Sequence, residues 1–231
     1  MKKLFSKDVD IDLDDLDEFD LADEIGITLD DLLYLRNVKN RELWLIGEIT
    51  DWSIHRIISD IREYNRQDYL TPIPERIPIK LFIDSNGGAT VAGLSVIDVI
   101  NASKTPVWTI NISKAYSMAF QIMISGHKRF AFKNSSFLLH DGSEGGYDSS
   151  SKFRDRLKFN DDLEKIMINN IVSRTKISEK EYEKNVRREW YMLVPEALEL
   201  GIVDQVVNSF DDVCTKMTEV QKFDVFKKMF K

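Results

Sequence analysis

IKLFIDSNGGATVAGLSVIDVI, residues 79–100, reads as a strand, a glycine turn and a helix in direct succession. IKLFID (79–84) is a near-continuous apolar run, the composition of a strand buried on both faces. VAGLSVIDVINAS (91–103) has the spacing of a helix. Between them, Gly87 and Gly88 open backbone conformations closed to other residues and turn N–H groups toward a ligand. The same pair also suits a tight turn that needs positive φ.

The alternation continues on both sides. Upstream, ELWLIGEI (42–49) predicts a strand and WSIHRIISDIREYN (52–65) an amphipathic helix with Ile54, Ile57, Ile58 and Ile61 on one side. QDYLTPIPERIP (67–78) holds three of the chain's five prolines and reads as a loop. Thr28 and Asp31 have capping-box spacing ahead of a short helix, LDDLLYL. Downstream, VWTINI (107–112), RFAF (129–132) and SFLLH (136–140) read as strands, and KAYSMAFQIM (114–123) carries Ser117 from the first of these into a buried helix. A glycine-rich passage, DGSEGGYDSS (141–150), precedes a long helix from about Lys152 to Ser173. A shorter helix spans 178–189, with Ser178 as cap and Glu181 completing the box; an amphipathic helix covers 211–231, with Val213, Met217, Val220 and Phe223 on one face. Such βαβ units predict a mostly parallel sheet covered by helices. No internal repeat is present.

The composition of the 231 residues, 43% hydrophobic and 31% charged, is that of a soluble globular protein. No run approaches the roughly 18 apolar residues of a spanning helix. The basic start, MKKLFSK, is followed by too short an apolar stretch for a secretory signal. One cysteine, Cys214, excludes an internal disulfide framework and a cysteine-based zinc site, and points to a reducing, cytoplasmic compartment. Residues 8–24 hold ten acidic and no basic side chains; setting them aside takes the formal charge from −7 to +3. Acidity therefore belongs to one amino-terminal arm, and no basic, aromatic-laced cluster suggests nucleic acid.

Three features fall at the carboxyl ends of strands, where open α/β sheets place their sites: Gly87-Gly88, Ser117 and His140. Each has a plain structural role when read alone, as tight turn, helix cap and packed or exposed imidazole. Together they supply what acyl transfer needs, namely donors for an oxyanion, a nucleophile and a base. A carboxylate to orient the imidazole would complete the set.

Four ordered motifs, SNGGATVAGLSVIDVI, KAYSMAF, SFLLHDG and PEALELGIVDQVV, resemble the Clp protease proteolytic subunit over about residues 40–207, roughly seven-tenths of the chain. The resemblance implies a crotonase-like α/β fold of repeated β-β-α units with a protruding handle helix. It divides the chain into an acidic arm with a short helix (1–39), a serine peptidase domain (40–207) and a carboxyl-terminal helix (208–231). It implies Ser117 as nucleophile, His140 as base, Glu189 as the orienting acid, and the N–H groups of Gly88 and Met118 as the oxyanion hole. Gly87, Gly145 and Gly146 take substrate-binding positions, and no metal or cofactor is implied.

The same resemblance implies a homo-oligomer of stacked heptameric rings, fed with unfolded polypeptide by an AAA+ unfoldase of the ClpX, ClpA or ClpC type. Two positions depart from the family pattern. Asn86 stands where proline commonly precedes the two glycines, and Glu189, in RREWYMLVPEA, aligns with an aspartate. The extra methylene shifts the carboxylate. Clp-like maturation proteases of tailed phages are also similar and carry Glu at this place. A phage capsid maturation protease and a non-catalytic ring subunit therefore stand as alternatives, with a crotonase-type acyl-CoA enzyme last. For the acidic arm, propeptide, pore-lining segment and docking arm remain open.

Overall fold

The computed structural model describes residues 28–142 and 150–213. The chain divides after Asn40. Before the division lies one described helix, α1 (Leu29–Lys39), whose capping box is formed in both directions, Thr28 accepting from the Asp31 N–H and Asp31 from the Thr28 N–H. The predicted start of this helix therefore holds. The arm at 1–26 lies outside the described residues.

After the division, the described residues form one seven-stranded sheet: β1 (Glu42–Ile49), β2 (Ile79–Gly88), β3 (Val107–Tyr116), β4 (Lys128–Phe132), β5 (Ser136–Leu139), β6 (Trp190–Leu193) and β7 (Gln205–Val207). The order is β1-β2-β3-β4-β7, with β5 branching from β3 and β6 added to β5. Every pairing is parallel except β5 with β6. The helices are α2 (Asp51–Gln67), α3 (Thr90–Ala102), α4 (Met118–Ile124), α5 (Ser150–Arg174), α6 (Glu179–Val186) and α7 (Val194–Glu199).

β3 changes partners partway along. Trp108–Asn111 pair with β4, and Lys114–Tyr116 pair with β5. Fully buried Asn111 sits at the change, donating to the Ser136 carbonyl at 2.9 Å and accepting from the Ser113 N–H at 3.2 Å. It satisfies backbone groups that the interrupted ladder leaves over, as buried polar groups must be. The carboxyl end of β3 is thereby turned out of the main sheet and into the β5–β6 pair.

One sheet face closes over Phe82, Ile110, Phe130, Val207 and Val213, with Trp108, Ile112 and Phe132 at its margin. α2 presents Ile54, Ile57, Ile61 and Tyr64 to the interior, a 3–4 spacing that the sequence pattern foretold. α3 packs between α2 and α4, and α4 lies on β2 and β3. Burying each of these large side chains contributes about 1.5–3 kcal/mol. α5, some 37 Å long at 1.5 Å per residue, has an exposed amino-terminal half that includes Phe153, Leu157 and Phe159.

Several predicted boundaries move. β2 runs on through Ser85–Gly88 and β3 through Ser113–Tyr116, beyond the apolar runs that announced them. The predicted helix at 178–189 ends at Val186, and the chain re-enters the sheet at Trp190. Ser178 caps that helix by accepting from the Glu181 N–H. Phe210–Asp212 is a 3-10 turn; Cys214, Met217, Val220 and Phe223 lie outside the described residues.

Candidate active site

β2, β3 and β5 end side by side, and register alone brings the candidate residues together. Ser85 pairs with Ala115, Tyr116 with Leu138, and Leu139 with Trp190. One or two residues further along their strands stand Gly87, Ser117 and His140, and Glu189 stands one residue before the antiparallel β6. The Ser117 N–H donates to the Leu138 carbonyl at 2.9 Å, and the Asp141 N–H to the Val186 carbonyl at 3.0 Å. The serine turn is thus tied to β5 and the end of the histidine strand to α6. Ser117 and His140 are half-buried, and Glu189 is exposed.

Ser117 has φ 53° and ψ −122° and joins β3 to α4. This is a backbone region that a side chain disfavours, at a cost of about 1–3 kcal/mol. Its side chain makes no capping hydrogen bond. The ordinary role of a serine at a helix start is therefore absent, while a sharp strand-to-helix turn that presents a hydroxyl is the geometry of a nucleophile elbow.

Gly87 and Gly88 also have positive φ, 96° and 146°. A Cβ on Gly87 would stand 2.7 Å from the Tyr116 oxygen, 2.8 Å from Ser117 Cβ and 3.0 Å from the Met118 nitrogen. One on Gly88 would meet the Ile49 oxygen at 2.4 Å. Glycine is required at both places, at the first to let the serine turn approach and at the second to let β2 lie on β1. Gly87, expected at the substrate, is buried, and its N–H donates to Ser85 Oγ at 3.0 Å. Gly88 is exposed. Met118 is the first residue of α4, where a helix leaves N–H groups without intrahelical partners. Its side chain is buried against α3, so close to Gly93 that a Cβ there would lie 2.3 Å from Met118 Cγ. Gly145 and Gly146 lie outside the described residues.

Three further residues build the site and escaped sequence reasoning. Buried Ser85 accepts from Gly87 and donates to the Gly47 carbonyl at 2.5 Å, pinning the glycine turn to β1. A serine two residues ahead of a glycine pair is a turn signal that identifies it. Tyr116 and Tyr191 meet edge to face, 5.8 Å between ring centroids at 82°, and the Tyr116 hydroxyl shares a 2.8 Å hydrogen bond with Ser136 Oγ. Their pairing needs β6, a strand the sequence pattern does not predict.

Beside the site, Lys114 and Asp84 form a half-exposed ion pair of 2.8 Å between β3 and β2. Among the described residues, no hydrogen bond joins Ser117, His140 and Glu189. Nor does any group of three or more His, Cys, Asp or Glu side chains there stand ready to hold a metal ion.

The mostly parallel, helix-covered sheet agrees with the family comparisons, which make this a serine-type peptidase of Clp type. The Clp protease family model matches residues 29–210. The ATP-dependent Clp protease proteolytic subunit of Streptococcus suis (strain 98HAH33) is 30% identical over 185 residues, 77% of this chain and 89% of that protein. The chain belongs to the Clp protease family and is a Clp-type protease subunit. Among the described residues, no helix is long and apolar enough to cross a membrane.

Proposed function

We propose that this chain is a serine endopeptidase in which Ser117, His140 and Glu189 form the catalytic triad. The observation that carries the reading is the strained, uncapped Ser117 at the end of β3, one strand from His140. His140, oriented by Glu189, takes the Ser117 proton as the hydroxyl oxygen attacks a peptide carbonyl. The N–H groups of Gly88 and Met118 donate to the tetrahedral oxyanion. His140 then protonates the leaving amine, and water, deprotonated by the same imidazole, hydrolyses the acyl-enzyme. The glycine-rich segment with Gly145 and Gly146 pairs with substrate backbone, which reads main chain rather than side chain and suits broad specificity.

In this proposal the domain at 40–207 assembles into stacked heptameric rings, and an AAA+ unfoldase delivers unfolded polypeptide. Phe153, Leu157, Phe159 and Ile166, exposed along α5, support burial between copies. The name of the streptococcal relative supports the ATP-dependent partnership.

The test is labelling with a fluorophosphonate probe, read by intact mass on an oligomer sized in the same sample. Wild type is expected to take one adduct per chain, and Ser117→Ala and His140→Ala none. An adduct that survives in Ser117→Ala would overturn the assignment.

A further inference from the structure

Glu189 lies one residue outside a four-residue edge strand whose only partner among the described residues is β5. Four residues of ladder give a weak hold on a carboxylate that has to meet an imidazole to within about half an ångström. Tyr191, two residues on and therefore on the same side of the strand as Glu189, adds a second hold. Its ring meets the edge of Tyr116, the residue immediately before Ser117. Tyr116 is in turn fixed through its hydroxyl to Ser136 at the start of β5. A chain of contacts therefore runs from β6 across β5 to the backbone of the serine turn, bypassing the histidine.

We propose that Tyr191, braced on Tyr116, is the positioning residue for Glu189, setting the carboxylate's height relative to Ser117 and His140. This rests on the triad reading above.

The hydroxyl end of Tyr191 points the same way. Tyr191 is about half exposed, and a hydrogen-bonding interaction with Glu189, then slight desolvation, then the carboxylate's charge hold the phenol above its ordinary value. The approach falls outside well-formed hydrogen-bond geometry, so nearness of the two groups, rather than a made bond, is what it records.

The experiment measures second-order rates of fluorophosphonate labelling of Ser117 in the assembled protein. Wild type is compared with Tyr191→Phe, Tyr191→Leu and Tyr116→Ala, each also made in a Glu189→Gln background. Tyr191→Leu and Tyr116→Ala, which remove the ring contact, are expected to label about tenfold more slowly, a misplacement smaller than the 1 Å that can cost about a hundredfold. Tyr191→Phe keeps the ring contact and is expected to stay within about threefold of wild type. In the Glu189→Gln background the two slow substitutions are expected to add nothing further.

Equal slowing in both backgrounds would mean that the tyrosines act on the fold or on Ser117 directly, and would overturn the proposal. So would rates unchanged by Tyr191→Leu. A wild type that takes no label at all would remove the triad reading itself, a result distinct from labelled wild type with indifferent variants.

Discussion

Ser117 holds its hydroxyl at the price of a backbone strain that a glycine would not feel. At φ 53° and ψ −122° the strain is about 1–3 kcal/mol. Glycine adopts this region freely but loses about 0.5–1 kcal/mol to the entropy of its unfolded chain. Ser117→Gly is therefore expected to be inactive and about 1 kcal/mol more stable than wild type, within those two ranges. Ser117→Ala, equally inactive, keeps the strain and is expected to unfold near the wild-type midpoint. Urea unfolding of the three proteins checks this, and coincident midpoints for Gly and Ala would refute stored strain at the turn. The serine was legible in the sequence as an oddity between a strand and a helix. Its backbone conformation was not, because positive φ is a property that sequence reports for glycine and hides for other residues.

At the scale of elements, α4 has to be held still, since it carries Met118 and follows the serine directly. The hold comes from the last turns of α5. Asn170 Nδ2 lies 3.2 Å from the Gln121 carbonyl, 3.0 Å from Gln121 Oε1 and 3.2 Å from Ser125 Oγ. Ser125 Oγ donates to the Gln121 carbonyl at 2.8 Å, so removing Asn170 leaves chiefly the buried Gln121 Oε1 without its donor. Asn170→Ala is expected to cost about 1–3 kcal/mol, seen as a lower urea midpoint, and to slow labelling of Ser117. A midpoint unchanged by the substitution would show that water or the helix backbone satisfies these groups.

Most elements were readable from hydropathy and capping. β1 begins and ends where ELWLIGEI does, and of the isoleucine stripe of α2 Ile54, Ile57 and Ile61 are buried as their spacing foretold while Ile58 is half-buried. The failures share one cause. Ser85–Gly88 and Ser113–Tyr116 look like loops because they are polar and small, yet they are strand because β1 and β5 pair with them. β6 was missed because four residues with Tyr191 and Leu193 exposed carry no period long enough to compete with the helix before them. The candidate site lies on these extensions. The resemblance named its residues, whereas the backbone pairing that gathers them is tertiary and invisible to local pattern.

For the molecule as a whole, pH acts through a histidine remote from the chemistry. The Val107 N–H donates to His127 Nδ1 at 3.1 Å, an acceptor only in the neutral imidazole. The ring edge reaches solvent, but the protein packed round it, and then the charge of Arg174, push its pKa below the ordinary value. The unfolded chain therefore binds the proton first. The stability contributed by neutral His127 is full above the unfolded value near 6.5 and is lost as pH falls through the lower folded value. His127→Asn, which offers an uncharged acceptor, is expected to show a shallower fall in Tm than wild type between pH 7 and 5. Parallel curves would assign the fall to other groups. Elsewhere in the fold, Arg41 and Asp68 form a buried pair at 2.6 and 2.7 Å, with Thr105 donating to the same carboxylate at 2.8 Å.

The antiparallel addition of β6 to β5 also has a consequence in time. Ser117 and His140 are made well before Glu189, which follows the histidine by 49 residues. At about 5–20 residues per second of synthesis, the interval is on the order of several seconds. Strands β1 to β4 are all translated by then, and β3 has β5 to pair with. The edge that brings the proposed acid is still missing. A nascent chain thus passes its early life with a serine and an imidazole but no carboxylate between the two neighbours to aim them. With the triad proposed above, the order of residues along the chain would delay cutting power until almost the whole domain has emerged, sparing the polypeptides that crowd its own place of manufacture.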